Sequence, residues 1–87
     1  MEFEWDEAKR QLNLVKHGLD FADMTRFPWD VAAIGQDLRF DYGEDRFTAY
    51  GNMDGRLLVI VFTLRGNTMR LMSVRRGNRK ERKIYGP

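Results

Sequence analysis

Leu57-Leu58-Val59-Ile60-Val61-Phe62 is the longest apolar run in the chain, and turn-forming residues bound it on both sides: Asn52-Met53-Asp54-Gly55 before it and Arg65-Gly66-Asn67 after it. A short apolar run without polar alternation, set between turns, reads as a strand covered on both faces. Arg56 to Thr63 is therefore expected to be a strand apolar on both faces, one member of an antiparallel meander. Six residues fall far short of the roughly 18 needed to cross a bilayer, so the run is not a membrane span. With 87 residues, the chain has material for one domain, residues 1–87, because folded chains divide only when they are considerably longer.

The flanking elements follow from local signals. Phe3 and Trp5 alternate with Glu2, Glu4 and Asp6, which predicts a short half-buried strand at a sheet edge. Asp6 is a cap and Gly18 a left-handed stop, giving a helix over Glu7–His17. Ala8, Leu12 and Val15 recur at i, i+4 and i+7 and are expected to face the core, with Lys9, Asn13, Lys16 and His17 on the surface. Asp20 caps a second, short helix over Phe21–Phe27, which Pro28 terminates. β-favouring residues then return, weakly over Val31–Ile34 and strongly over Asp45–Tyr50, and Thr68–Arg75 follows Arg56–Thr63 as the last strand of a meander. Asn78, with Glu81 three residues on, predicts a basic helix over Arg79–Tyr85. The fold expected is α+β: two N-terminal helices packed on one face of an antiparallel sheet of about four strands, a short basic C-terminal helix, and the opposite sheet face left for a ligand.

Charge is divided unevenly. Residues 1–64 carry a formal −5 and residues 65–87 a formal +7, so a basic surface for a polyanion is expected in the C-terminal third. There is no cysteine and only one histidine, which excludes disulfides, a thiolate nucleophile and a Cys/His zinc site, and fits a reducing cytoplasm. Phosphate-binding glycine loops, HExxH, GxSxG and EF-hand patterns are all absent from the sequence. Asp41, Glu44, Asp45 and Asp54 read as solvated loop carboxylates rather than metal ligands. His17 is the one side chain that ordinarily titrates near neutrality, and it suits either proton transfer or the carbonyls of its own helix end. Lys9 and Lys16 form either a phosphate track or an ordinary helix surface. On strict strand alternation, Arg70 and Arg76 share one face of the last strand with Met72 and Val74, and Arg75 lies on the other with Met69, Leu71 and Ser73.

Phe3-Glu4-Trp5-Asp6-Glu7-Ala8-Lys9, Asn13-Leu14, Lys16-His17-Gly18 and Phe21 open a pattern that continues through Gly55-Arg56-Leu57-Leu58-Val59, Phe62-Thr63, Arg65-Gly66, Arg70, Ser73 and Arg75 to Asn78-Arg79-Lys80-Glu81-Arg82 and Tyr85. In this order and spacing the blocks resemble the BrnT toxin family over nearly the whole chain, with Gly77 standing where the family commonly has a small, alanine-like residue. The resemblance implies a RelE-like fold and a type II toxin that cleaves RNA, blocks translation, needs no metal or organic cofactor, and is neutralised by a BrnA-type antitoxin with a ribbon-helix-helix DNA-binding domain. Cleavage of that kind needs an oriented 2′-hydroxyl, stabilised phosphate charge and proton transfer. Arg65 and Arg75 are the candidates for phosphate stabilisation, Lys9 for orienting or deprotonating the nucleophile, and His17 for acid or base work. Lys16, Arg70, Arg76 and Arg79 are candidates for flanking phosphates. A non-catalytic nucleic-acid-binding module and a protein-binding subunit are the competing readings of the same charges.

Overall fold

The computed structural model describes residues 1–86. Five strands, β1 (Glu2–Trp5), β2 (Ala33–Asp37), β3 (Arg46–Met53), β4 (Arg56–Arg65) and β5 (Thr68–Arg76), form one sheet in the order β1-β5-β4-β3-β2. The apolar run lies in β4, the middle strand. Asp54 and Gly55, both at positive φ, close the β3–β4 hairpin in the left-handed geometry that matches strand twist. β2 to β5 form an antiparallel meander, and β1 joins the β5 edge in parallel. Helix α1 (Glu7–His17) follows β1, and helix α2 (Arg79–Tyr85) follows β5.

The expectation of two N-terminal helices on an antiparallel sheet of about four strands is thereby corrected: one N-terminal helix accompanies a five-stranded mixed sheet. The segment taken for a second helix is a 3₁₀ turn over Phe21–Arg26. Phe21, Met24 and Phe27 recur every third residue, and in a 3₁₀ helix side chains three apart eclipse. All three are almost fully buried against Ala49, Leu58, Ile60 and Phe62, an alignment that the 3.6-residue period of an α-helix would splay. The parallel strand arises from a non-local meeting, since β1 is first in the chain and its partner β5 is the last strand. Phe3 and Trp5 sit opposite Met69 and Leu71 in that ladder. Phe3 packs on Trp29 and Trp5 edge-on to Phe21.

The buried side of α1 is also not the expected one. Leu12 is 69% exposed and Val15 88%, whereas Asn13 is 7% exposed. Along β5, β1 pairs only as far as Leu71, which leaves the edge backbone beyond it without a strand. The Asn13 amide takes that place: Val74 N–H donates to its Oδ1 (3.0 Å), and its Nδ2 donates to Val74 C=O (2.9 Å) and Leu19 C=O (3.0 Å). Arg10, one turn earlier, forks onto Asp20 (2.8 and 3.0 Å) and also binds Glu7, and its guanidinium holds the Asp20 carboxyl below the usual range. The helix is thus oriented by its polar line, and its apolar stripe faces outward.

β5 carries one further irregularity. Val61 pairs with Ser73, but the next residue of β4, Phe62, pairs with Leu71. Met72 is therefore an extra residue, a β-bulge, and side-chain alternation reverses across it. Met69, Leu71 and Val74 all join the core, and the other face of β5 carries Arg70, opposite Thr63, together with Ser73, opposite Val61, and Arg75, opposite Val59. The separation of Arg70 from Arg75 onto two faces, expected from strict alternation, is corrected by this single residue.

Replacing Asn13 by alanine should leave the buried Val74 N–H and C=O without partners and cost about 2–4 kcal/mol. Denaturant unfolding that shows a loss under about 0.5 kcal/mol would contradict the strand-substitute role of the amide.

Candidate nucleic-acid interface

The core side of the sheet is covered by the 3₁₀ turn together with Phe27 and Trp29, which leaves the other face open to a ligand. There β4 presents Val59 and Val61, β3 presents Thr48 and Tyr50, and β5 presents Arg75; these form the floor of a cleft of about 660 Å³. One wall is the end of β2 and the following loop, Gly35 to Arg39. The other is α2, through Glu81 and Tyr85. These two residues are four apart in sequence, hence one above the other on a helix face.

α2 matches its expected bounds, and its capping box explains why it starts where it does. Glu81 N–H donates to Asn78 Oδ1 (2.8 Å), while Asn78 N–H donates to Glu81 Oε1 (2.9 Å). The same carboxylate receives Arg75 in a two-pronged pair, Nη1 to Oε1 at 2.7 Å and Nη2 to Oε2 at 2.8 Å. Two aromatic rings complete the clamp: Tyr85 stacks on Tyr50 with centroids 4.1 Å apart and planes 12° from parallel. Gly77, between β5 and α2, gives its N–H to Leu57 C=O (2.8 Å), and a Cβ there would collide with the Leu57 side chain. The chain thus turns tightly against β4 before α2 begins.

The electrostatics follow from these contacts. The Arg75 guanidinium holds the Glu81 carboxyl at about 2, against a usual value of 4.5, with the Asn78 N–H adding to the effect. Burial, reinforced by the Glu81 charge, raises the Tyr50 phenol, so its proton is retained. On the opposite wall, the Arg39 side chain and backbone N–H, helped by the Tyr42 hydroxyl, hold Asp37 well below the carboxylate range. Arg75 Nε–H makes no hydrogen bond with a described residue. The cleft therefore offers an oriented but charge-balanced guanidinium, two phenols and the Arg39–Asp37 pair.

The residues singled out in the sequence fall into three places. Arg75 lies in the cleft. Arg65 and Arg70 share its sheet face toward the far end: Arg65 is 3.9 Å from Glu44, and Arg70 is 3.5 Å from Glu4 across the β1–β5 ladder. Lys9, Lys16 and His17 belong to α1, which packs against β5 and the 3₁₀ turn, and none of them lines the cleft. Arg76 and Arg79 lie where β5 passes into α2. The structure brings Arg65, Arg70 and Arg75 to one face and does not bring Lys9 or His17 to them. Tyr50, Tyr85, Arg39 and Glu81 line the cleft as well, and the sequence does not single them out as site residues. The signal available for two of them was the four-residue spacing of Glu81 and Tyr85 on a helix whose start was legible. Among the described residues, no three His, Asp or Glu side chains converge as a metal-ligand group. Asp41 caps its own turn at Gly43, Asp45 accepts from Gln36, and Asp54 is 3.6 Å from Arg26. No helix among them is long and apolar enough to cross a membrane.

Glu81 supplies a pH test. Its carboxyl is lowered by folding, so the stability it contributes is complete above about 4.5 and is lost as pH falls toward about 2. Glu81→Gln should be less stable than the parent at pH 7, and the difference should shrink across that window, as read by thermal unfolding at a series of pH values. A gap that stays constant down to pH 2 would contradict the Arg75–Glu81 clamp.

The family model for the BrnT ribonuclease toxin of type II toxin–antitoxin systems matches residues 5–81. No curated protein matches the chain. The matched span runs from Trp5, the last residue of β1, to Glu81 of α2, and so takes in β2 to β5 and the Arg75–Glu81 pair. The chain belongs to the BrnT family of ribonuclease toxins, and an antitoxin partner and an RNA substrate go with that membership.

Proposed function

We propose that the cleft between the β2–β3 loop and α2 cleaves RNA without a metal ion, and that Arg75 is its phosphate-stabilising group. The observation that carries this is the placement of Arg75: it stands on the floor of a concave site, held in one orientation by Glu81, with tyrosine rings beside it. A fixed donor does not have to reorganise as charge develops on the phosphate, which is the largest single source of catalysis in sites of this kind. In the reaction the ribose 2′-oxygen attacks the adjacent phosphorus and the bond to the 5′-oxygen breaks. A 2′,3′-cyclic phosphate and a 5′-hydroxyl result, with one proton leaving the 2′-hydroxyl and one reaching the leaving oxygen. These transfers fall to groups that line the cleft, of which Tyr50 retains its proton and so suits the acid role. Arg65 and Arg70 on the same face, with Arg76 and Arg79 beyond it, are assigned to flanking phosphates. Lys9, Lys16 and His17, carried by α1, have no cleft neighbour to support the roles their chemistry suggests.

The biological consequence proposed is arrest of translation in the cytoplasm, reversed by a BrnA-type antitoxin with a ribbon-helix-helix domain. An acidic antitoxin segment laid on the basic C-terminal third would exclude RNA by occupying the same surface.

Cleavage of single-stranded RNA by the purified protein should persist in EDTA, leave cyclic phosphate ends, and fall about 100-fold in Arg75→Ala while the fold survives by circular dichroism. Activity that vanishes on chelation and returns with magnesium, or that survives in Arg75→Ala, would sink the reading. RNA and antitoxin should also compete in a fluorescence titration; unchanged RNA affinity at saturating antitoxin would place the antitoxin elsewhere.

A further inference from the structure

A second cavity, of about 340 Å³, lies beside α2 and is lined by Gly55, Arg56, Leu57, Arg76, Gly77 and Arg82. It draws on three separate stretches of chain: the β3–β4 turn with the start of β4 supplies Gly55 and Arg56, the end of β5 supplies Arg76, and α2 supplies Arg82. Its charged lining is three guanidinium groups and no carboxylate. None of the three forms an ion pair with a described residue. The neighbouring acids are engaged elsewhere: Asp54 lies against Arg26, and Glu81 is held by Arg75 and the Asn78 N–H. Arg82 is fixed in place by an Nη1–H bond to Gly77 C=O (2.8 Å). Two of the lining residues are glycines, so backbone rather than side chain forms much of the wall, and Leu57 gives it an apolar floor.

Convergent like charges repel one another, and a cavity that gathers three without a counter-charge is complementary to a multiply charged oxyanion. Arginine forks match phosphate oxygens in geometry as well as charge. We propose that this cavity is a phosphate-group site distinct from the cleft, and that on the ribonuclease reading above it takes a backbone phosphate of the RNA as the strand leaves the cleft across α2. Arg75 and Arg76 are adjacent in sequence and face opposite sides of the strand end, so a strand passing over the end of β5 meets both. Arg56 and Arg82 thereby join the RNA-contacting residues.

Two probes separate the sources of phosphate, and both use the full-length protein. The first is a single-stranded oligonucleotide made uncleavable by 2′-deoxy substitution, with binding measured over a range of salt concentrations. Arg56→Gln should lower the log–log salt slope by about 0.7 and weaken binding about fourfold near 0.15 M salt, the share of one phosphate contact on a single strand. Arg56→Gln/Arg76→Gln should lower the slope about twice as far, and Lys80→Gln, on exposed α2 outside the cavity, should not share the effect. The second probe is inorganic phosphate, which should raise the melting temperature of the parent more than chloride at equal ionic strength and should lose that advantage in Arg56→Gln. Equal losses in Arg56→Gln and Lys80→Gln would mean diffuse attraction and overturn the site. Oligonucleotide binding with an unchanged slope in Arg56→Gln would overturn it while leaving the cleft's function standing. Arg56-dependent protection by inorganic phosphate in a protein that binds no oligonucleotide would support the anion site and refute its use for RNA.

Discussion

Met72 is one residue more than β4 can pair, and the character of both sheet faces depends on it. Upstream of the bulge β5 alternates in one sense, downstream in the other. Without that reversal, Val74 and Arg75 would exchange sides: a charged side chain would face the core beside Leu58 and Ile60, and the cleft floor would lose its guanidinium. A buried unpaired charge costs several kcal/mol, more than most single packing changes. The bulge thus reconciles an arginine-rich strand with an apolar core. It also brings Val74 to the position where Asn13 binds its backbone, so the seating of α1 depends on the same irregularity.

The basic C-terminal third is less uniform than its +7 suggests. Across the face that holds the cleft, acids drawn mostly from the first 64 residues stand near the arginines: Glu4 beside Arg70, Glu44 near Arg65 and Arg46, Asp37 on Arg39, with Glu81 as the internal exception on Arg75. Exposed pairs of this kind are worth about 1 kcal/mol or less, so they orient side chains more than they stabilise the fold. Their larger effect is on the field. Charge is balanced over the sheet face and left unbalanced at the end of β5 and along α2, where Arg56, Arg76, Arg79 and Arg82 form no ion pair with a described residue. A polyanion is therefore attracted most strongly to the rim beside the cleft, and the cleft itself presents an oriented guanidinium of nearly neutral surroundings.

α2 joins these two regions. It buries no residue fully, and seven residues are too few for a helix to be stable in isolation. Four contacts that help hold it are the Arg75–Glu81 fork, the Tyr50–Tyr85 stack, the Arg82 bond to Gly77 C=O and the approach of Gly77 to Leu57. All four involve a residue that lines one of the two cavities, so the position of the helix and the shape of both cavities are coupled. At the β5 edge, α1 leaves Leu12 and Val15 exposed.

What the sequence by itself determined is what short-range chemistry controls. The bounds of α1 and α2 follow from Asp6, Gly18, Asn78 and Glu81, whose caps act within four residues; that β4 is a strand covered on both faces follows from its unbroken apolar run; the family follows from motif blocks in order. What only the tertiary structure decided is long-range. Periodicity assigned the apolar line of α1 to the core, but the open backbone at Val74, 61 residues away in sequence, drew in Asn13 instead. Alternation divided Arg70 from Arg75, but the pairing demands of β4 inserted a bulge between them. Phe21, Met24 and Phe27 did carry a three-residue period, yet whether that turn tightened to 3₁₀ depended on the sheet it packs against. The parallel seat of β1 and the meeting of Tyr50 with Tyr85 required partners far along the chain, and nothing in a local window encodes which partner a strand edge or an aromatic face will find.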